Sequence, residues 1–363
     1  MRGGWKEERL SEISSSIASG KNIDHKGPYP LYGSTGIIGT TDKPYHEGPM
    51  LLVARVGANA GFLQLVNEKC GVSDNTLIVK PKDPVTDNYL FQYFKFFNLN
   101  RFIYGSGQPL ITGGMLKKMP VRYGLKEERE TLIDYFTSLD SQISASTSRL
   151  ASLKQMNAAS LQAMFPQEGE AVPKIRFKGF EGEWKKVKLG KLFSERIENN
   201  VDGEMLSVTM NNGIIKAAEN GRFDNSNSDK SKYKVVKVGD IAYNSMRMWQ
   251  GASGCSQYEG IVSPAYTVVV PNANIHSLFF AYLFKTIPMI NLFRLHSQGL
   301  TKDTWNLKYP AFSIIEVSYP ESKAEQQAIA TYFTSLDRQI SLQSQRLEKL
   351  KQIKSACLDK MFV

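Results

Sequence analysis

The 363-residue sequence is poor in the groups from which catalytic centres are built. Its three cysteines, Cys70, Cys255 and Cys357, lie far apart and form no CxxC pair. That excludes a disulfide framework and a cysteine zinc site, and it suits a reducing cytosol. The four histidines, His25, His46, His276 and His296, have no HExxH or other ligand spacing. Gly33–Gly39 (GSTGIIG) looks phosphate-friendly, but no Lys-Ser or Lys-Thr follows its final glycine, so a backbone turn is the better reading. A G-x-S-x-G nucleophile elbow is absent. So are the signatures of nucleotide methyltransferases, a glycine-rich S-adenosylmethionine loop followed by an Asp/Asn/Ser-Pro-Pro-aromatic tetrapeptide, of which Ile103–Gly107 (IYGSG) is only a partial echo. The most apolar run, Leu278–Leu295, is interrupted by Lys285, Pro288 and Arg294, which argues against a membrane span. Met1–Leu10 is charged rather than apolar, unlike a signal peptide. A cytoplasmic protein without metal, cofactor or membrane attachment is expected.

What is present is a repeat. Glu127–Phe165 and Ala324–Phe362 match at an offset of 197 residues, with 19 of 39 positions identical, including the block YFTSLD and a closing Met-Phe. Neither copy contains Gly or Pro, so each reads as one unbroken helix. Apolar residues at Leu132, Phe136, Leu139, Ile143, Leu150 and Leu153 recur as Ile329, Phe333, Leu336, Ile340, Leu347 and Leu350. This is the spacing of a coiled-coil seam. Each helix would span roughly 58 Å and bury its seam against the other copy, with Ser146 and Gln343 as polar interruptions that fix the register. Two separate amphipathic helices on separate domains are the alternative.

The repeat extends beyond the helices. Trp5, Leu10 and Ile13 open one globular region with W-x4-L-x2-I, and Trp184, Leu189 and Leu192 open another. Strand-like runs follow in both, Met50–Val56, Gly61–Val66 and Thr76–Val79 in the first, Lys234–Val238, Asp240–Asn244 and Thr267–Val270 in the second. Each then has an aromatic helical zone, a glycine loop and a proline. The segmentation is 1–125, a helix over 126–165, a polar linker over 166–182, 183–320, and a helix over 321–363. A two-fold duplication with divergent loops is how one frame reads two different things.

Lys and Arg outnumber Asp and Glu by 45 to 35, a net charge of +10 that favours a polyanionic partner. The loops carry side chains suited to DNA. Tyr32, Ser34 and Thr35 sit in the glycine-rich turn, where backbone can approach phosphate. Arg55, Asn59 and Gln108 supply groups that read guanine or adenine edges, and Asn75 in the VSDNT turn is a further DNA-binding candidate. The second half offers Asn211 and Asn212, then Asn244, Arg247 and Trp249 within YNSMRMWQG, then Gln298, Thr301 and Lys302. Asn and Gly also make ordinary turns, and Trp249 is as good a core residue as a contact.

The two W-x4-L-x2-[I or L] openings, the YGSTGIIG loop, the VSDNT segment and the duplicated YFTSLD helices together resemble the specificity subunit of Type I restriction–modification systems, along essentially the whole chain. One departure is that the first half has no counterpart of Lys174–Glu183 (KIRFKGFEGE). The resemblance implies an α+β architecture of two target-recognition domains separated by two antiparallel helices. It implies that each domain reads half of a split, asymmetric site in double-stranded DNA. Two modification subunits carrying S-adenosylmethionine and motor–nuclease restriction subunits would dock on a chain that is itself not an enzyme. A stand-alone DNA-modifying enzyme and a coiled-coil scaffold without DNA reading are the competing classes.

Overall fold

The computed structural model describes residues 5–21, 26–99, 109–210, 212–220 and 229–361. The chain divides into two units, Met1–Ser148 with Ser344–Val363, and Arg149–Gln343, so the division runs through both long helices.

In the first unit the elements are β1 (Lys6–Arg9), the one-turn α1 (Leu10–Ile13), β2 (Ser14–Ser19), β3 (Tyr29–Gly33), β4 (Gly36–Thr41), β5 (His46–Glu47), β6 (Met50–Ala54), β7 (Leu63–Val66), β8 (Lys69–Val72), β9 (Thr76–Pro81), α2 (Pro84–Phe97), α3 (Gly113–Lys118), β10 (Pro120–Tyr123) and the start of α4 (Lys126–Ala163). One sheet has the order β2-β9-β6-β7 and another β4-β3-β8-β5, while β1 pairs with β10. Every residue of β6 is buried, because both faces of its sheet are covered. Leu51 and Val53 join Leu77, Val79, Tyr89, Leu90, Tyr93 and Phe94 on the α2 side. Met50 and Leu52 join Cys70, Val72 and Ile78 on the other. Strand periodicity of two sends alternate residues into separate cores. The GSTG segment is the turn of the β3–β4 hairpin.

The second unit repeats the central frame. It contains β11 (Lys185–Lys188), β12 (Phe193–Glu195), β13 (Leu206–Thr209), β14 (Gly213–Lys216), β15 (Lys234–Val236), β16 (Ile241–Asn244), β17 (Ser253–Cys255), β18 (Gly260–Val262), β19 (Tyr266–Pro271), α5 (Ser277–Leu283), α6 (Ile287–His296), α7 (Tyr309–Ser313), β20 (Glu316–Tyr319) and the start of α8 (Lys323–Met361). The order β12-β19-β16-β17 matches β2-β9-β6-β7, and β11–β20 matches β1–β10. Linking hydrogen bonds recur too. Leu10 N donates to Met119 O at 2.8 Å, as Leu189 N does to Ile315 O at 2.9 Å. The second sheet differs, being replaced by the pairs β13–β14 and β15–β18. Among the described residues the first half has α2 at this place, the second has α5 and α6 bent by 82°, and no single helix is long and apolar enough to cross a membrane. Phe279, Phe280, Met289 and Phe293 of that bent pair lie in the core.

The long helices meet within each unit. In the first, Tyr135 Oη lies 3.3 Å from Cys357 Sγ, and Lys354 donates to Asp140. In the second, Asn157 Nδ2 donates to Asp337 Oδ1 at 3.0 Å, and Ser160 Oγ lies 2.8 Å from Tyr332 Oη. Numbers rise along one helix as they fall along the other, so the pairing is antiparallel. The seam is shared with the globular cores: Phe136 and Leu139 belong to the α2-side core with Leu350 and Ile353 packed against it. Phe333 stacks on Phe165 at 5.8 Å in the other unit. Ser146 and Gln343 are both buried.

Residues 166–182 pack as ordered chain. Ile175 N donates to Ala163 O and Trp184 N to Ala171 O, both at 2.8 Å. Arg176 from this segment clamps Glu325 at the start of α8, with Nε–Oε1 at 2.7 Å and Nη2–Oε2 at 2.8 Å. At the matching place in the first half, Glu128 accepts instead from Trp5 Nε1 at 2.8 Å. An indole N–H thus meets Glu128 where a guanidinium meets Glu325.

One buried carboxyl makes the first unit sensitive to pH. Desolvation, reinforced by the Asp83 carboxylate and opposed by Lys80, pushes Asp87 up to about 7. Its Oδ1 has no hydrogen-bond partner among the described residues. The folded state therefore holds this proton more tightly than the unfolded chain, whose Asp titrates near about 3.9. The stability it contributes is full below that unfolded value and is lost as pH rises through about 7. Asp87→Asn is expected to raise Tm at pH 8 and flatten its dependence between about pH 4 and 8. A Tm–pH slope identical to the wild type would refute this account of Asp87.

Candidate nucleic-acid interface

In the second unit, three loops of distant sequence meet at the open end of the central sheet. The first follows β16: Asn244 Oδ1 accepts from Met246 N at 3.0 Å, Arg247 starts a short 3-10 turn, and Gly251 ends it at φ +79°. The left-handed conformation there favours glycine. The second is the β13–β14 turn, where Asn212 N donates to Thr209 Oγ1 at 3.0 Å. The third runs from Gln298 to Asn306, which exchange backbone hydrogen bonds at 3.0 and 2.8 Å. Lys285 Nζ joins the first two, donating to Met210 O at 3.0 Å and to Gly251 O. Trp249 joins the first and third by an edge-to-face contact with Trp305 at 5.3 Å. Leu307 N fixes the third loop to Ser245 O at 2.8 Å.

This arrangement brings together Asn212, Asn244, Arg247, Trp249, Gln298, Thr301 and Lys302. Arg247, Gln298, Thr301 and Lys302 are exposed. Trp249 is half-buried and its indole N–H is committed to Met246 O at 3.0 Å, so it shapes the loop. Asn211 and Gln108 lie outside the described residues.

The first unit builds the same corner. Arg55 N donates to Asn75 O at 3.0 Å and Ile111 N to Arg55 O at 2.7 Å, where the second unit has Ser245 N to Ala265 O at 3.3 Å and Leu307 N to Ser245 O. Arg55 therefore occupies the place of Ser245. Its Nε is buried without a partner among the described residues, and its Nη1 donates to Asp74 O at 3.4 Å. Asn59 is exposed on the turn after β6. Tyr32 joins the corner through Ser73 N, which donates to Tyr32 O at 2.9 Å. Its hydroxyl donates to Glu68 Oε1 at 2.6 Å, and burial with that carboxylate pushes its pKa up to about 12. Ser34 and Thr35 form the hairpin turn, tied to β7 by Gln64 Nε2 and Gly33 O at 2.8 Å.

The family model of the Type I restriction modification DNA specificity domain matches this chain twice, over residues 3–155 and 181–352. The chain belongs to that family. A curated relative, the Type I restriction enzyme EcoprrI specificity subunit of Escherichia coli, is 25% identical over 118 residues. That match covers 32% of this chain and only 29% of the relative's length. The Type I restriction–modification S subunit of M. genitalium has a similar fold, with a TM-score of 0.66 at 14% identity, covering 100% of this chain and 97% of that one. A chain from a structural study of complex assembly and conformational transition in the type I system gives 0.51 at 15% identity, covering 100% and 98%. The α+β frame with two antiparallel helices is the fold of this family.

Within the two specificity domains, the sequence pointed to loops but missed what holds them. Lys285, Trp305 and Asn306 hold these loops in place but match no motif for contact with DNA. Lys285 had a signal: it is the one lysine inside the apolar run Leu278–Leu295, and a charge there needs a partner.

Proposed function

We propose that this chain is the sequence-reading subunit of a Type I restriction–modification complex. Each specificity domain reads one half of a split, asymmetric site in double-stranded DNA. The chain carries no cofactor of its own. Partner modification subunits, two per chain, hold S-adenosylmethionine and methylate adenine, and motor–nuclease subunits restrict unmethylated DNA in the cytoplasm. The observation that carries this reading is the repeated corner with different chemistry at its tip. One frame presents Arg55 and the other Arg247, and among the described residues neither forms an ion pair with a carboxylate. An arginine left with unmet donors at a loop tip suits a bidentate guanine contact.

The test uses the whole chain. Alone it is expected to transfer no methyl group from labelled S-adenosylmethionine; with its modification subunit, adenines in a bipartite site become methylated. Exchanging Trp184–Pro310 for the same region of another family member should change one half-site and leave the other intact. Methyl transfer by the pure chain would make it an enzyme instead, and changes in both half-sites would end the reading of two independent domains.

A further inference from the structure

The two halves use one duplicated lysine differently. In the first, Asp140 of α4 accepts from Gln92 Nε2 at 3.2 Å, and Lys95 Nζ, three residues further along α2, lies 3.6 Å from the same carboxylate. Lys354 completes that cluster. In the second half, Asp337 of α8 is the repeat of Asp140, and it accepts from Tyr282 Oη at 2.8 Å and Asn157 Nδ2 at 3.0 Å. Asn157 stands at the repeat position of Lys354, and Lys285 again lies three residues beyond the donor, Tyr282. Neutral donors thus satisfy Asp337, and the lysine is released from it.

The backbone explains where the lysine goes. α2 runs unbroken to Phe97 and keeps Lys95 facing the long helix. α5 stops at Leu283, and Lys285 sits in the turn before α6, with its N–H bonded to Tyr282 O at 2.9 Å. From there the side chain reaches the carbonyls of Met210 and Gly251, the tips of two loops. Its stem lies along Gly251, where a Cβ would come within 3.7 Å of Lys285 Cδ. Charge-assisted bonds to two carbonyls from separate loops set their spacing better than either loop could alone.

We propose that Lys285 is a positioning residue for the second half-site: it locks the β13–β14 turn to the Arg247 loop so that both present to DNA together. Lys95 has no such role, because its amine belongs to the α4 carboxylate. Burial pushes the Lys285 amine down to about 8, with Asp337 acting the other way, as for a cation enclosed by carbonyls. The inference rests on the DNA-reading function proposed above.

The experiment selects duplexes from a library randomised in both half-sites, using the full chain copurified with its modification subunit. Lys285→Met is expected to lose about tenfold in preference at the second half-site, with first half-site preference and affinity for scrambled duplex unchanged. Lys285→Arg, which keeps charge and donors, should restore most of the loss. Lys95→Met should leave the first half-site preference intact. Equal loss at both half-sites with a lower Tm would make Lys285 merely structural and overturn the proposal, as would an unaltered second half-site or failure of the arginine to restore it. A wild-type complex without any sequence preference would overturn the DNA-reading function itself.

Discussion

Arg176→Ala is expected to destabilise the chain by about 3–5 kcal/mol, the usual consequence of leaving one partner of a buried ion pair alone. The Glu325 side chain is 2% exposed and the Arg176 side chain 13%. Both carboxylate oxygens are bonded to the same guanidinium, so removing it strands a charge where water cannot reach. Tm should fall by roughly 6–20 °C, measured by calorimetry on the full chain. Trp5→Phe, which removes a single N–H from Glu128, should cost only about 1–3 kcal/mol. Replacing both Arg176 and Glu325 by apolar residues of similar size should recover most of the first loss. A Tm drop below about 2 °C for Arg176→Ala would show that Glu325 finds another partner. Retained destabilisation in the double variant would show that the clamp does more than satisfy one carboxylate.

The frame was legible in the sequence wherever periodicity governs it. The YFTSLD repeat and the seam at Phe136 and Phe333 specify long helices because nothing in them favours another state. The strand runs Met50–Val56 and Asp240–Asn244 are visible for the same reason, although β6 ends at Ala54. What the sequence hid is set by distant contacts. Nothing local says that Phe136 fills a globular core as well as a helix seam, or that residues 166–182 dock through Arg176. The loop tips were partly visible: Arg247 and Asn244 lie in one short stretch, but that stretch is joined to the third loop by the edge-to-face packing of Trp249 on Trp305, residues far apart in the chain. In the sequence Lys285 is only an interruption of an apolar run. Its role appears only when the turn at Phe284–Thr286 aims it at two carbonyls.

Arg247→Ala is expected to weaken binding to the cognate duplex by one to two orders of magnitude, matching the roughly 1–3 kcal/mol of discrimination in a bidentate guanine contact. The side chain is exposed, and its Nη1 donates to Gln250 Oε1 at 3.5 Å. Such a long contact holds the guanidinium only loosely, so its donors are open to a base edge. Trp249, anchored by Trp305 and by its bond to Met246 O, keeps the turn in shape when the arginine is removed. Affinity for scrambled duplex should therefore stay nearly unchanged. Lys302, exposed on the neighbouring loop, should behave in the opposite way. A flexible ammonium that meets only phosphate releases one counterion, so Lys302→Ala should weaken all duplexes alike and flatten the salt dependence by about one unit of slope. Titrating both variants, in complex with the modification subunit, against cognate and scrambled duplexes at several salt concentrations separates base reading from charge neutralisation. Equal losses on both duplexes for Arg247→Ala would make Arg247 a phosphate contact, and no loss on either would leave it a surface charge.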